Sequence, residues 1–148
     1  MKFAGIVSAL ALLASGVFAQ ETVTVSYDTT YDNSGQSLLT VACSDGPTGL
    51  DPPYSTFGDL PDFPYIGGAA AVSGWGSSNC GTCWQLHKLS WTSPRGVDYT
   101  VNVLAIDRAT EGFNIAHEAM NTLTGGQAYF LGRINATATQ VDAAACGM

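Results

Sequence analysis

Positive charge is scarce in this 148-residue chain, where five Lys and Arg face 12 Asp and Glu for a net charge of −7. Charged residues of both signs make up only 11% of it. A surface with that balance repels phosphate backbones and anionic headgroups, which argues against nucleic acid and membranes as partners. Histidine is scarce too, and the order His117-Glu118-Ala119-Met120 is not H-E-x-x-H. Neither G-x-S-x-G nor a phosphate loop occurs, and nothing in the sequence calls for a cofactor or a metal. No internal repeat and no long low-complexity linker interrupts the chain. No run beyond the N-terminus approaches the ~18 apolar residues of a membrane span.

The N-terminus itself reads as a secretory leader. Lys2 supplies a short positive region, apolar residues run from Ile6 to Val17, and Val17-Phe18-Ala19 suits cleavage after Ala19. Residues 1–19 are therefore expected to be a signal peptide and 20–148 a single secreted domain, long enough for one core. Without Lys2 the remaining chain has four Lys and Arg against 12 Asp and Glu, a net charge of −8. Gly, Ser, Thr and Asn take the place of charge. Such neutral hydrogen-bonding groups suit a neutral polysaccharide or an extracellular setting.

Most segments read as short strands: TVTVSY at 22–27, SLLTVAC at 37–43, the alternating run 83–89, YTVNVLAI at 99–106, and the runs 129–134 and 138–141. Between them lie SDGPTGLDPP, GDLPDFPYIGG and TSPRG at 92–96, the last a hairpin tip. One helix is expected over 113–123, where Phe113, Ala116, Met120 and Leu123 recur at helical spacing. Asn114 would cap its start and Gly125-Gly126 its end. Strands with one substantial helix point to a compact β-barrel and not a βαβ sheet.

Four cysteines remain after the leader: Cys43, Cys80, Cys83 and Cys146. An even count in a small secreted domain is read first as two disulfides. Cys80-Gly81-Thr82-Cys83 is a C-x-x-C, but no βαβ pattern surrounds it, and its spacing to the other two cysteines is not that of a zinc knuckle. If the chain is extended there, positions three apart point to opposite faces, and the two thiols reach different partners. Composition alone does not choose between Cys43–Cys80 with Cys83–Cys146 and the crossed pairing.

Several stretches carry a resemblance. VSYD with the following YD (25–28 and 31–32), SLLTVACSDG (37–46), YSTFGDLPDFPYIGG (54–68), NCGTCW (79–84), VLAID (103–107), GFNIA with AMNTLTGGQA (112–128) and the terminal Cys146-Gly147 together resemble the cerato-platanin family. The resemblance covers nearly all of 20–148 in order. It implies a small secreted fungal protein of the cell wall, with a six-stranded double-ψ β-barrel similar to the first domain of expansins and one or two short helices. It also implies the disulfides Cys43–Cys80 and Cys83–Cys146. Between Trp84 and Val103 this chain carries a longer hairpin than the shortest family members, so no family role transfers to Trp91 or Arg95.

Asp107 is the first candidate for chemistry, because it follows an apolar strand and should emerge into a groove. The resemblance matches it to an Asp of the expansin-like groove. A glycosidase needs two carboxyl groups. Asp28, Asp45 and Glu111 are the candidate partners, with Asp45 in Ser-Asp-Gly better suited to a turn. The family is similar to expansins in lacking a complete hydrolytic pair, so no catalytic residue is expected, and Asp107 is the one if any. The carbohydrate-binding set expected is Tyr27, Asp28, Asp45, Asp107, Asn121 and Gln127, with Asn114 held to its helix cap. His87 and His117 read as surface or satisfied residues. Most aromatics belong to the core, with Trp84 packed on a disulfide. Asn135-Ala136-Thr137 is a glycosylation sequon.

The expected function is binding of chitin or N-acetylglucosamine oligosaccharides, and of cellulose, without hydrolysis. The resemblance adds expansin-like loosening and elicitation through a plant receptor. Two rival classes are a surface-active wall protein that self-assembles at interfaces, and a weak glycoside hydrolase.

Overall fold

The computed structural model describes residues 19–88 and 96–148. Residues 1–18, where a signal peptide is expected, and 89–95, with Leu89, Trp91 and Arg95, lie outside the described residues.

Six strands close into a barrel in the order β1-β5-β2-β4-β3-β6. They are β1 (Glu21–Tyr27), β2 (Ile66–Ala69), β3 (Cys83–Lys88), β4 (Tyr99–Arg108), β5 (Phe113–Ile115) and β6 (Arg133–Val141). The pairs β1–β5 and β2–β4 are parallel, and the other four are antiparallel. The expected mainly β, six-stranded barrel is therefore present. Alternation explains most strands: in β6, Ile134, Ala136 and Ala138 point into the core while Arg133 and Asn135 are exposed. β4 is buried without a break from Val103 to Ile106, because its inner face meets the barrel interior and α1 (His117–Thr124) covers it from outside.

Four expectations change. SLLTVAC is not a strand: Leu38–Thr40 is a 3₁₀ turn that buries Leu38. Its Ser37 hydroxyl accepts the Leu39 N–H, giving the backbone a local alternative to a ladder. The helix starts later than expected. Phe113–Ile115 is β5, in which Phe113 and Ile115 are buried on one face, so this stretch satisfied a period of two as well as one of 3.6. Asn114 is thus a strand residue and no helix cap. The α1 start has Ala116 at the cap position, and the Asp32 carboxylate accepts the N–H groups of His117 (2.8 Å) and Glu118 (3.0 Å) from 85 residues away. Its end is at Gly125, left-handed at φ 63°, as the sequence indicated. The run 129–134 is also not a strand: Ala128–Leu131 forms α2, and β6 begins only at Arg133.

β2 escaped the sequence reading because IGGA lies among turn residues. Gly67 is required there by close approach, since a Cβ would sit 2.5 Å from the Asn114 carbonyl oxygen and 2.6 Å from the Ile115 Cα.

The disulfides join Cys43 to Cys80 and Cys83 to Cys146. Parity along a strand is not what separates the thiols of the C-x-x-C. Cys80 sits in a turn in which its N–H bonds the Ser77 carbonyl and that of Thr82 bonds Asn79, and Cys83 opens β3. Trp84 packs edge-on against Phe113, with its indole N–H on the Thr82 hydroxyl.

Candidate functional site

Near its C-terminal end β4 departs from regular pairing. β2 pairs Gly67 with Ala105 and then Gly68 with Asp107, skipping Ile106. A bulge of this kind bends the strand and re-aims the side chains after it. The half-buried Asp107 carboxylate comes to lie among three donors. Oδ2 accepts the Tyr31 hydroxyl (3.0 Å), and Oδ1 accepts the N–H groups of Ala42 (3.0 Å) and Arg108 (2.8 Å). The Ile106 carbonyl takes the Cys43 N–H beside it. Asp107 therefore docks the 41–46 loop onto the barrel, and the Cys43–Cys80 bond fastens the same loop to the turn before β3.

Tyr31 is 6% exposed. Burial first, and then the charges of Asp107 and Asp28 with the hydrogen bond to Asp107, push its phenol well above the ordinary tyrosine range. Asp28 and Asp107 thus both act on one hydroxyl. Asp28, exposed at the end of β1, also accepts the Thr30 N–H (2.8 Å) and caps the short turn Thr29–Asp32.

The remaining expected residues divide between two places. Tyr27, Asn121 and Gln127 gather around the helices. The Tyr27 ring meets His117 (centroids 5.0 Å apart) and Tyr129 (5.9 Å). Asn121, one turn beyond His117, accepts the Ala128 N–H on its side-chain oxygen, and Gln127 precedes α2. Asp45 stands elsewhere, on the 41–46 loop. Its Oδ1 accepts the indole N–H of Trp75 (2.9 Å) and the Ser44 hydroxyl (3.3 Å). The indole donation chiefly holds the Asp45 carboxyl below the usual carboxylate range.

A polar surface cleft of about 220 Å³ opens beside the end of β4, lined by Ser26, Arg108, Ala109, Thr110, Glu111, Asn114 and Arg133. It is smaller than the roughly 300–1,000 Å³ that encloses drug-sized ligands, so it suits one unit of an extended ligand lying across the surface. Its wall is wired together. The Arg133 guanidinium donates to the hydroxyls of Thr24 (2.8 Å) and Ser26 (3.3 Å), and that of Ser26 donates to Asn114 Oδ1 (3.0 Å). Glu111 lies 3.2 Å from Arg133 and offsets its charge. The Asn114 amide nitrogen makes no hydrogen bond among the described residues and keeps two donors for a ligand.

Sequence reasoning missed Tyr31, Arg108, Arg133 and Trp75. A signal for the arginines was present, since two of the four Lys and Arg after residue 19 line this one cleft. Trp75 stood between two glycines, off any strand period. Among the described residues no group of three His, Cys, Asp or Glu could hold a metal ion, and no helix is long and apolar enough to cross a membrane.

The sequence pattern of the family described as Cerato-platanin matches residues 23–148. Allergen Asp f 15 of Aspergillus fumigatus is 42% identical, over 99% of this chain and 97% of its own length. The crystal structure of cerato-platanin 1 from M. perniciosa superposes with a TM-score of 0.80 at 46% identity, covering 84% of this chain and 98% of that one. The solution structure of the fungal elicitor cerato-platanin superposes with a TM-score of 0.70 at 37% identity, covering 84% and 96%.

Proposed function

The chain belongs to the cerato-platanin family, and on that footing we propose that it is a secreted, wall-associated protein that binds N-acetylglucosamine oligomers, as chitin presents them, without hydrolysing them. The observation that supports this reading most is the open polar cleft at the end of β4, which none of the six expected sugar-binding residues lines. Its hydroxyl, amide and guanidinium groups offer the mixture of donors and acceptors that sugar hydroxyl and acetamido groups require. Hydrolysis is disfavoured because the Asp107 carboxylate already accepts three hydrogen bonds and Glu111 is held by Arg133, so neither is a free acid facing a bond to be cleaved. Tyr27, Asp28, Asn121 and Gln127 would extend contacts along the surface, and cellulose would be bound and loosened by the same groups. One relative is named a fungal elicitor, and elicitation would be a role shared with it, for which a plant receptor is the partner proposed for this chain. Titration of isotope-labelled protein with N-acetylglucosamine oligomers tests the reading. Amide signals from 108–114 should move, and an enzyme would instead release new reducing ends.

A second reading, film formation at interfaces, is favoured by Tyr129 and Phe130, which are 75% and 88% exposed side by side on α2. Replacing both by Ser should abolish surface activity if they drive it, and leave sugar binding at the cleft unchanged.

A further inference from the structure

Trp75 is an aromatic side chain that neither the core nor the cleft uses. It is 66% exposed, yet it is not loose. Its indole nitrogen donates to Asp45 Oδ1 at 2.9 Å. The six-membered part of the ring rests on Gly46, where a Cβ would come within 2.9 Å of Cζ2. Gly74 and Gly76 flank it in the chain, and the 66% exposure of Trp75 leaves most of the indole open to solvent.

The loop carrying Trp75 is itself fixed. The Ser77 hydroxyl accepts the N–H groups of Ser73 (3.3 Å) and Asn79 (3.2 Å), and the Asn79 side chain donates to the Ala71 carbonyl (2.8 Å). The Cys43–Cys80 bond ties this loop to the one bearing Asp45. Two loops joined by a disulfide therefore meet again at their tips through the Asp45–Trp75 bond. An exposed aromatic ring held at its indole nitrogen and backed by Gly46, with the rest open to solvent, is arranged to receive a flat, weakly polar surface. Holding it in place beforehand removes the ordering cost a mobile side chain would bring to binding.

We propose that Trp75 is a stacking subsite for a neutral hexopyranose ring. Asp45 positions the indole through Nε1, and its Oδ2, which has no partner among the described residues, accepts a sugar hydroxyl. The axial C–H groups on one face of a β-linked pyranose are the apolar surface such a ring packs against, while the hydroxyls at its rim remain free for Asp45. The net charge of −7 makes an acidic ligand a poor fit beside a carboxylate. The inference rests on the carbohydrate reading above and adds a second contact to it, on the 41–46 and 70–82 loops instead of the β4 end.

The test is an NMR titration of labelled wild-type protein, Trp75→Ala, Trp75→Phe and Asp45→Ala with hexamers of N-acetylglucosamine and of glucose. The indole N–H signal of Trp75 is identified by its absence in Trp75→Phe. Expected are a shift of that signal on binding, at least about a tenfold loss of affinity in Trp75→Ala, and a smaller loss in Asp45→Ala. Because the ring is at the surface, both variants should keep native spectra and no free thiol. If sugar moves the 108–114 amides while the indole signal stays still and Trp75→Ala binds as wild type, this inference is overturned and the cleft reading stands. If neither hexamer moves any signal at millimolar concentration, both fall. A Trp75→Ala defect confined to interfacial films or receptor binding also overturns it.

Discussion

Replacing Asp107 by Ala removes one acceptor from three donors, and the consequences differ for each. The Arg108 N–H belongs to an exposed residue and can turn to water. The Tyr31 hydroxyl belongs to a residue that is 6% exposed, and the Ala42 N–H is partly buried against β4, so both lose a charged partner without full access to solvent. A hydrogen bond to a charged group contributes about 1.5–3 kcal/mol, and stranding a buried donor costs about 1–3 kcal/mol. Because one carboxylate serves both, the losses should not add, and a destabilisation of about 3 kcal/mol is expected. Tyr31→Phe removes the donor together with its hydroxyl and should cost only about 1 kcal/mol, and in the Asp107→Ala background less still. Urea denaturation at neutral pH measures this as a fall in midpoint at constant slope. Alkaline titration of the phenols gives an independent reading. Tyr31 should be the last to ionise in the wild type and return towards the ordinary range in Asp107→Ala, where the charge and the hydrogen bond of Asp107 no longer act on it. A variant within about 0.5 kcal/mol of wild type would refute the idea that Asp107 docks the 41–46 loop.

Asp62 is raised to about 6 by burial, and its Oδ2 is enclosed without a partner among the described residues. The folded state therefore keeps this proton up to about pH 6 while the unfolded chain releases it near the ordinary 3.8. Stability should be highest below that window and decline as pH rises through it. Asp62→Asn should flatten the decline and stabilise the protein by about 1 kcal/mol at neutral pH, after discounting for its partial exposure, as calorimetry across pH would record. Asp32→Ala deprives His117 and Glu118 of their shared acceptor, and thermal unfolding should report a loss of about 1–2 kcal/mol. Replacing Cys43 and Cys80 together opens a loop spanning 37 residues, so denaturant unfolding should show a loss of about 4 kcal/mol in the chain-entropy description.

Elements that follow one period were legible in the sequence. β1, β3 and β4 were expected within a residue or two of their observed bounds, and Gly125 marked the end of α1. Where two periods fitted, the sequence could not decide. Phe113 lies one helical turn from Ala116 and Ile115 one turn from Ala119, yet the two also alternate on a strand, and pairing with β1 and β2 selects the strand. β2 was hidden because half of its residues are glycine: Gly67 admits the β5 backbone and Gly68 that of Arg108 at the end of β4, contacts no local pattern announces. The candidate site divides in the same way. Asp107 was visible as the carboxylate after a buried strand, but the bulge that aims it depends on pairing with a strand far back in the chain. Asp45 in Ser-Asp-Gly could be read as a turn residue, while its hydrogen bond to Trp75 belongs to a loop 30 residues on. Long-range partners of this kind exist only once the barrel closes.

Whether the polar cleft at the end of β4, between Arg108 and Arg133, binds β-linked sugar is decided by titrating labelled wild-type protein with an N-acetylglucosamine hexamer. Expected are saturable shifts of the amides at 108–114 and of the Asn114 side-chain amide, with no reducing ends released. Unmoved signals at millimolar sugar, or shifts confined to residues far from this cleft, would contradict it.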